Sequence, residues 1–527
     1  MQGASLLPGA ERSQSAICNL QSAIVIGGGL AGLIASLHLA ERGLRPLLLE
    51  AAPRLGGRVA GAATVTIEHQ GRSWSFAAEH GIHGLWGQYR NLRATLARHA
   101  IARDLVPAQR EDWIHGEGGR AYRAEAGSLV RRSPVPAPFH YLGLLVRPRF
   151  LAMLTLQDLI GLPRVAGSLY LALAYDPLIE PAPLAGRTLA ELFNRWPPRL
   201  RAFIAALMRS GLSAHPEDVP LGGFLAFLRF YTLLRRDSWA FDYFPADSQT
   251  SLIGPLATAI ERHGGTLSSG AAVTRLERIA TGWRVYYCRD GQELSAEAQQ
   301  IVLACDAPAA KALLCGSPDT AEAAAGLVWP KGLATGVVRL WYGIASGEAE
   351  SGICSGDFTI DNFFWLQRFQ HEAAAWHAAT GGGLVEAHIY GPQELLSEPD
   401  VVLLARATAD IQRAHPELRG QLIHSTIQRN APTHTRFDIG ADPRYLGVES
   451  PWPGLSCCGD WLRFPHPALF LERATVTGIA AANRAIVALG GEPHELLPAL
   501  PPEAPARAIE RGLRWVRRRV RRHNDRA

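Results

Sequence analysis

Ala23-Ile24-Val25-Ile26 runs directly into Gly27-Gly28-Gly29-Leu30-Ala31-Gly32, and eighteen residues beyond the last of these glycines the chain reaches Glu50. Four apolar residues without polar alternation read as a strand buried on both faces of a parallel sheet. Leu33 to Arg42 follows a helical pattern and stops at Gly43, and a second apolar run, Leu47-Leu48-Leu49, closes on the acid. The order is strand, glycine turn, helix, strand. Gly27 makes the tight turn with Gly28 beside it, Gly29 lets a pyrophosphate approach the backbone, and Gly32 lets helix and strand pack closely. Leu30 and Ala31 lie in the turn that leads into the helix, whose start offers free N–H groups to the phosphates. Glu50 accepts from ribose hydroxyls and would repel a 2′-phosphate. The predicted ligand is a dinucleotide. A second glycine run, Gly381-Gly382-Gly383, opens no helix and precedes a strand-like stretch from Leu384 to Tyr390, so it reads as a turn without a ligand.

Beyond the acid, Ala51-Ala52-Pro53-Arg54-Leu55-Gly56-Gly57-Arg58 adds a second glycine turn with an arginine. This resembles the E-A-x-x-x-x-G-G-R/K extension of the flavoprotein group that holds amine oxidases, protoporphyrinogen oxidases and carotene desaturases. The resemblance implies FAD, with Ala51, Arg54, Gly57 and Arg58 at the cofactor; the plain alternative for Arg58 is a surface cation. Glu79-His80-Gly81-Ile82-His83 through Tyr89-Arg90-Asn91-Leu92 resembles the E-x-G-x-H-x-x-x-G-x-Y-x-N segment of plant-type phytoene and ζ-carotene desaturases. Cys458-Gly459-Asp460-Trp461 and Leu471-Glu472-Arg473-Ala474-Thr475-Val476-Thr477-Gly478 resemble the motif that closes the family's cofactor site. Both segments look closer still to the desaturase/methyltransferases that aromatise carotene end rings, the isorenieratene-synthase type.

What this implies is specific. Gly459, Asp460, Glu472, Arg473 and Ala474 would contact the cofactor, and Val273 the adenine. Arg229, in Phe227-Leu228-Arg229-Phe230, matches an arginine that lies near the flavin in plant-type desaturases and would tune its reduced form. His83 is a second catalytic candidate, with a structural role as its alternative. The amine oxidases place a lysine beside the flavin in a K-V-x-L-x-F strand; here the stretch is Val337-Val338-Arg339-Leu340-Trp341-Tyr342, with valine at that place.

The expected fold class is α/β: a Rossmann-like FAD-binding domain of the glutathione-reductase-2 type, interleaved with an α+β substrate domain and a mainly helical lipophilic segment. Residues 21–92, 245–315 and 441–492 would form the first and 93–244 with 316–440 the second. Residues 1–20 read as a flexible N-terminus and 493–527 as a Pro-rich linker with a basic amphipathic tail.

Composition narrows the partners. Of 527 residues, 47% are hydrophobic and 19% charged, fewer charges than the ~25% of an ordinary soluble domain. No apolar run reaches the ~18 residues of a membrane span. The chain has two lysines, Lys311 and Lys331, and neither sits in a P-loop. The net charge of +5 comes from the tail, where nine arginines from Arg507 to Arg526 face only Glu510 and Asp525. The body therefore has no basic field for nucleic acid. Residues 139–184, apolar pieces broken by Pro148 and Pro163, and residues 221–234 suit a lipophilic tunnel or one leaflet, with plain helical core as the alternative. In the tail Ile509, Leu513, Val516 and Val520 recur at helical spacing, with Trp515 alongside, which predicts a helix lying on an anionic membrane surface, with a solvated, frayed terminus as the alternative. Seven cysteines without a C-x-x-C read as reduced thiols, and no signal peptide is read, so the expected location is cytoplasmic and peripheral to the membrane.

No metal-ligand pattern is read: H-E-x-x-H is absent, and His371 and His377 lie six apart on a helix. The expected reaction is hydride abstraction from an allylic C–H of a carotenoid to flavin N5, with or without a ring methyl shift, and with a quinone or oxygen as acceptor. Two other readings stay open at this level: a related flavoenzyme acting on an amine, porphyrinogen or hydroxysqualene, and a carotenoid-binding protein that holds FAD without turnover.

Overall fold

The computed structural model describes residues 21–61, 64–180, 184–347, 349–435 and 444–524. Cys18, the expected N-terminal segment 1–20 and the last two charged residues of the tail lie outside them.

The opening motif folds as strand Gln21–Ile26, helix Leu30–Glu41 and strand Leu47–Leu49. The helix starts three residues earlier than its apolar pattern suggested, because the glycine turn itself supplies the first turn's backbone. Ala23, Ile24 and Val25 are fully buried, and the helix is buried along nearly its whole length. Such a helix must be covered on both sides, by the sheet and by helix Phe470–Ala488. The contact is close: a Cβ on Gly478 would lie 2.7 Å from the Ala31 carbonyl oxygen.

The sheet has seven strands. Gln21–Ile26 pairs in parallel with Leu47–Leu49 on one side and with the long strand Gln292–Leu303 on the other (Ile24 opposite Ile301). Thr266–Ser268 extends one edge, and Leu455–Cys457 joins Gln292–Leu303 in parallel. The first half of Gln292–Leu303 instead carries an antiparallel meander, Ala272–Ile279 and Gly282–Arg289. Asp306, at the end of the returning strand, caps helix Ala307–Gly316 by accepting from the Ala309 N–H at 2.9 Å.

A second seven-stranded sheet runs in the order Leu422–Thr435, Gly332–Tyr342, Gly383–Ile389, Asn362–Trp365, Ser351–Gly356, Glu111–Glu117 and Arg120–Glu125. Residues from both sides of the cofactor segment thus share one sheet, with Ile114 opposite Cys354. Against it stands a helical region, including Leu156–Ala174, Pro198–Leu212 and Leu221–Phe227, the last continuing as a π-turn over Leu228–Leu233. The sequence reading broke the first of these at Pro163, but one helix runs through it. Pro163 is exposed, so water can satisfy the carbonyl its missing N–H leaves unpaired.

The linker after residue 490 forms no regular element but is well tied down. Asn91 exchanges hydrogen bonds with Leu497, and Arg90 donates to the Pro498 carbonyl at 2.6 Å. It delivers helix Ala504–Asn524, which corrects the expected division of the tail's apolar face. Ile509 and Leu513 pack on the core, while Trp515 and Val516 are exposed. No helix among the described residues is long and apolar enough to cross a membrane.

Glu472 shows how the last helix locks the domain. Its carboxylate, fully buried, accepts from Asn91 N–H and Asn91 Nδ2 (both 2.8 Å) and from Leu92 N–H (3.0 Å). The two backbone N–H groups are orphan donors in the first turn of helix Arg90–Arg98, whose own N-cap residue supplies no side-chain hydrogen bond. Removing the carboxylate in Glu472→Ala is expected to cost about 3 kcal/mol, measured as a lower urea midpoint. Glu472→Gln, which keeps an acceptor oxygen, should lose less than half of that.

Candidate functional site

The strand ends of the first sheet open into a cavity of about 540 Å³. At one part of its wall are Glu50, Ala51, Ala271 and Val273; along it come Gly27, Gly29, Leu30 and Ala31, then Gly57, Arg58, Gly459, Asp460 and Ala474. Beyond these the wall is formed by the second sheet and the helical region, with Trp86, Phe227, Trp239, Phe241, Tyr243 and Phe364 among its aromatic residues.

The first part fits a flavin dinucleotide. Gly27 has φ +109°, and a Cβ there would meet Ala304 backbone at 2.8 Å; a Cβ on Gly32 would lie 1.9 Å from the Gly27 carbonyl oxygen. Those glycines build the turn. A Cβ on Gly29 would meet nothing within 4 Å, so its backbone faces open space where phosphates approach a helix N-terminus. Glu50 accepts from Gly28 N–H (2.5 Å) and Ala52 N–H (2.8 Å) and so is held at the wall as a carboxylate acceptor. Arg58 reaches Asp460 at 2.6 Å. Burial weakens its charge, but the facing Asp460 more than offsets this and raises its pKa. Gly459, at φ +148°, donates its N–H to Thr477 Oγ1 at 3.0 Å and carries Asp460 to that place.

Other expected cofactor contacts lie elsewhere. Gly28 and Gly32 belong to the turn behind the cavity wall, and Arg54 is exposed on its loop. Glu472 caps helix Arg90–Arg98, as described, and Arg473 donates to the carbonyls of Leu462, His466 and Ala468. Burial lowers the Arg473 pKa to about 10; its work is to hold the loop after Asp460. Arg229 requires the largest correction. It does not line the cavity; its guanidinium pairs with Glu510 at 2.5 Å and Asp176 at 3.2 Å and donates to the Leu173 carbonyl. Two acids, one of them on the tail, hold a buried cation there, away from the place expected of a residue that tunes flavin.

The substrate end holds a polar relay that the sequence reading missed. Glu386, His388 and Tyr390 alternate along strand Gly383–Ile389 and its first following residue, so all three share one face. Tyr390 Oη–H donates to His388 Nδ1 at 2.7 Å, and His388 Nε2–H donates to Glu386 Oε1 at 2.9 Å. The tautomer follows because a carboxylate only accepts. Opposite Glu386 in the register is Arg339, whose Nε and Nη2 reach Glu386 Oε2 at 2.7 Å. Burial alone would raise the Glu386 carboxyl, but Arg339 and His388 outweigh it and bring it to about 2. It is an anion. Burial raises the Tyr390 hydroxyl, which keeps it protonated. His388 and Tyr390 both line the cavity. The signal available in sequence was Glu-x-His-x-Tyr at strand spacing.

His83 also lines the cavity, and its Nδ1 has no hydrogen-bond partner. Burial pushes its pKa down to about 4, with Glu386, His388 and Arg58 all within electrostatic reach. It is neutral, and it bridges the flavin side of the cavity to the relay. Neither Lys311 nor Lys331 lines the cavity; both are exposed. The six described cysteines are free thiols.

A glycine-built phosphate cradle joined to an aromatic-walled chamber defines a flavin-dependent oxidoreductase. Residues 30–486 match the family of flavin containing amine oxidoreductases, and the chain belongs to that family; its cofactor is FAD. The chain is 27% identical over 478 residues to a carotenoid phi-ring synthase of Streptomyces griseus, covering 87% of this chain and 86% of that protein. It is 24% identical to a carotenoid phi-ring synthase of Chlorobaculum tepidum, with 88% of each chain covered. Cyclohexylamine oxidase from Brevibacterium oxydans shares the fold, with a TM-score of 0.61 at 17% identity over 89% of this chain and 99% of that one.

Glu79 supplies a pH test. Its carboxyl accepts from the Ser248 N–H at 2.8 Å, and burial, only partly offset by Ser248, raises its pKa from 4.5 to about 7. The unfolded chain releases this proton first as pH rises, so the group's stabilising effect is complete below about pH 4.5 and is lost as pH passes 7. Relative to Glu79→Gln, the wild type should therefore lose up to ~3 kcal/mol between pH 5 and pH 8. Urea unfolding at the two pH values measures it.

Proposed function

We propose that this enzyme dehydrogenates a carotenoid, acting at its end ring. The observation that carries the reading is an apolar, aromatic-walled chamber opening from the flavin cradle onto the Tyr390–His388–Glu386 relay, with no lysine in its wall. The likeness to the two phi-ring synthases supports it.

FAD, once bound, supplies the acceptor for a hydride from an allylic C–H. The chain's own residues take the proton. As the neighbouring C–H bond breaks, its electron pair forms the new C=C bond and its proton passes to Tyr390 Oη. The phenolic proton moves in turn to His388 Nδ1. The resulting imidazolium is held by the Glu386 carboxylate, which Arg339 keeps ionised and oriented. The raised Tyr390 pKa makes this a relay, since the phenol passes a proton on without becoming a free phenolate. His83, neutral and between Arg58 and His388, positions the ring edge and excludes water. A ring methyl shift would end by loss of a ring proton to the same relay. The reduced cofactor is returned by a quinone or by oxygen, which anaerobic turnover distinguishes.

The test is expression in bacteria accumulating single carotenes, with extracted pigments compared by chromatography and mass. The wild type should yield a pigment that has lost hydrogen. His388→Ala should yield about 100-fold less or lower still, while the purified protein keeps its flavin spectrum. An unchanged pigment profile with the wild type would overturn the carotenoid reading, and turnover of amines would replace it with amine chemistry.

The enzyme works, on this reading, from the surface of an anionic leaflet where carotenoids dissolve. Support comes from Val146, Leu156 and Ile160, which are 73–75% exposed, and from the exposed Trp515 and Val516 on the arginine-rich tail helix. Changing Trp515 and Val516 together to serine leaves the docked face of the tail intact. It should weaken binding to vesicles containing phosphatidylserine by about tenfold (~1.4 kcal/mol), measured by co-sedimentation. Unaltered binding would remove the tail from the interface.

A further inference from the structure

The helix that begins at the phosphate turn ends in a second polar cluster, remote in sequence from its partners. His38 and Glu41 lie three residues apart on one face of helix Leu30–Glu41, and His494 arrives from the linker. His38 Nε2 or Nδ1, a Glu41 oxygen and a His494 ring nitrogen all lie within 4.8 Å of one another. The outward nitrogens are already committed to the backbone. His38 Nδ1 is 2.8 Å from the Ile34 carbonyl oxygen, and His494 Nε2 is 2.9 Å from that of His38. A carbonyl only accepts, so each of these nitrogens carries the proton. His38 Nε2, which accepts from Arg98, and His494 Nδ1, 3.7 Å from Glu41 Oε2, then turn their lone pairs toward the cluster. Metal-binding histidines are oriented in this way.

Charge and rigidity agree with the geometry. Burial pushes His38 down to about 3 and also lowers His494, so both imidazoles are neutral. The His494 backbone is pinned on both sides by Asn483, which accepts from its N–H at 2.7 Å and donates to its carbonyl at 2.8 Å. A cation already sits here. Arg98 Nη2 donates to His38 Nε2 at 3.1 Å and to Glu41 at 3.2 Å, yet its side chain is 45% exposed and can swing out. His99 Nε2–H donates to Glu41 Oε1 at 2.7 Å, and a shift of that proton to Nδ1 would make it a further ligand.

We propose that His38, Glu41 and His494 form a zinc site that fastens the linker, and with it the tail helix, to the cofactor domain. Zinc bonds of about 2.0–2.1 Å at tetrahedral angles place donors roughly 3.3 Å apart. Small rotations of Glu41 and His494 close the cluster to that spacing, with Arg98 displaced and His99 or water as the fourth ligand. Two imidazoles and a carboxylate favour zinc over magnesium, whose preferred ligands are oxygens.

The experiment uses the FAD-loaded full chain, stripped with EDTA and dialysed against micromolar Zn²⁺, with zinc and FAD quantified together. One zinc per FAD is expected, with no comparable uptake of Mg²⁺. His494→Ala, on the linker and away from the cavity, should lower zinc affinity about 100-fold or more, with unchanged flavin absorbance and a cooperative zinc-free melt showing that it folds. Arg98→Gln should bind zinc several-fold more tightly, because it removes the competing guanidinium; a purely structural cluster would not respond so. Substoichiometric zinc in the wild type, full binding by His494→Ala, or weaker binding by Arg98→Gln each overturns the site.

Discussion

Backbone meets backbone at two places around the first helix, and neither contact admits a side chain. Gly32 lies against the Gly27 carbonyl and Gly478 against that of Ala31, where a Cβ would come to 1.9 and 2.7 Å. Strand, first helix and last helix are thereby drawn to the smallest separation that protein backbone permits. The phosphate cradle, the position of Asp460 and the burial of the first helix all follow from that approach. Closeness also fixes the register of the closing motif, because helix Phe470–Ala488 can slide on its neighbour only by driving Cβ atoms into carbonyls.

Around this weld the molecule buries many charges, and it does so by giving each several partners. Glu472 is surrounded by N–H groups, Arg473 by carbonyls, and Glu386 by a guanidinium and an imidazole. Desolvation would otherwise neutralise such groups or expel them. The arrangements differ in consequence. Around Glu472 the donors are backbone and amide, so the result is rigidity. Around Glu386 one partner is a histidine with a second nitrogen available, so the same stabilisation becomes a path for a proton.

The βαβ motif could be read in sequence because it is local: strand, glycines, helix and Glu50 fall within about thirty residues, and each position has one stereochemical demand. The pairing of Arg58 with Asp460 was half-legible, since both motifs were visible but not their contact across some four hundred residues. Arg229 misled for the opposite reason. Its spacing resembled that of a flavin-side arginine, while its actual partners, Asp176 and Glu510, come from a loop and from the tail. The relay escaped because Glu386, His388 and Tyr390 were read as a strand, and alternation alone does not tell which face meets a cavity. His38 and His494 could not be paired from spacing at all.

The cofactor domain is stitched from the beginning, middle and far end of the chain, and this sets a schedule for its biosynthesis. Strand Gln21–Ile26 waits for Gln292–Leu303, and the nearly all-buried helix Leu30–Glu41 waits for Phe470–Ala488. A ribosome must therefore release most of the polypeptide before the phosphate cradle has its walls. Until then a mostly apolar helix stands uncovered on that side, a species prone to aggregate. The site that receives flavin is thus complete only once the last helix has been made, and a nascent chain halted before it has no finished place for the cofactor.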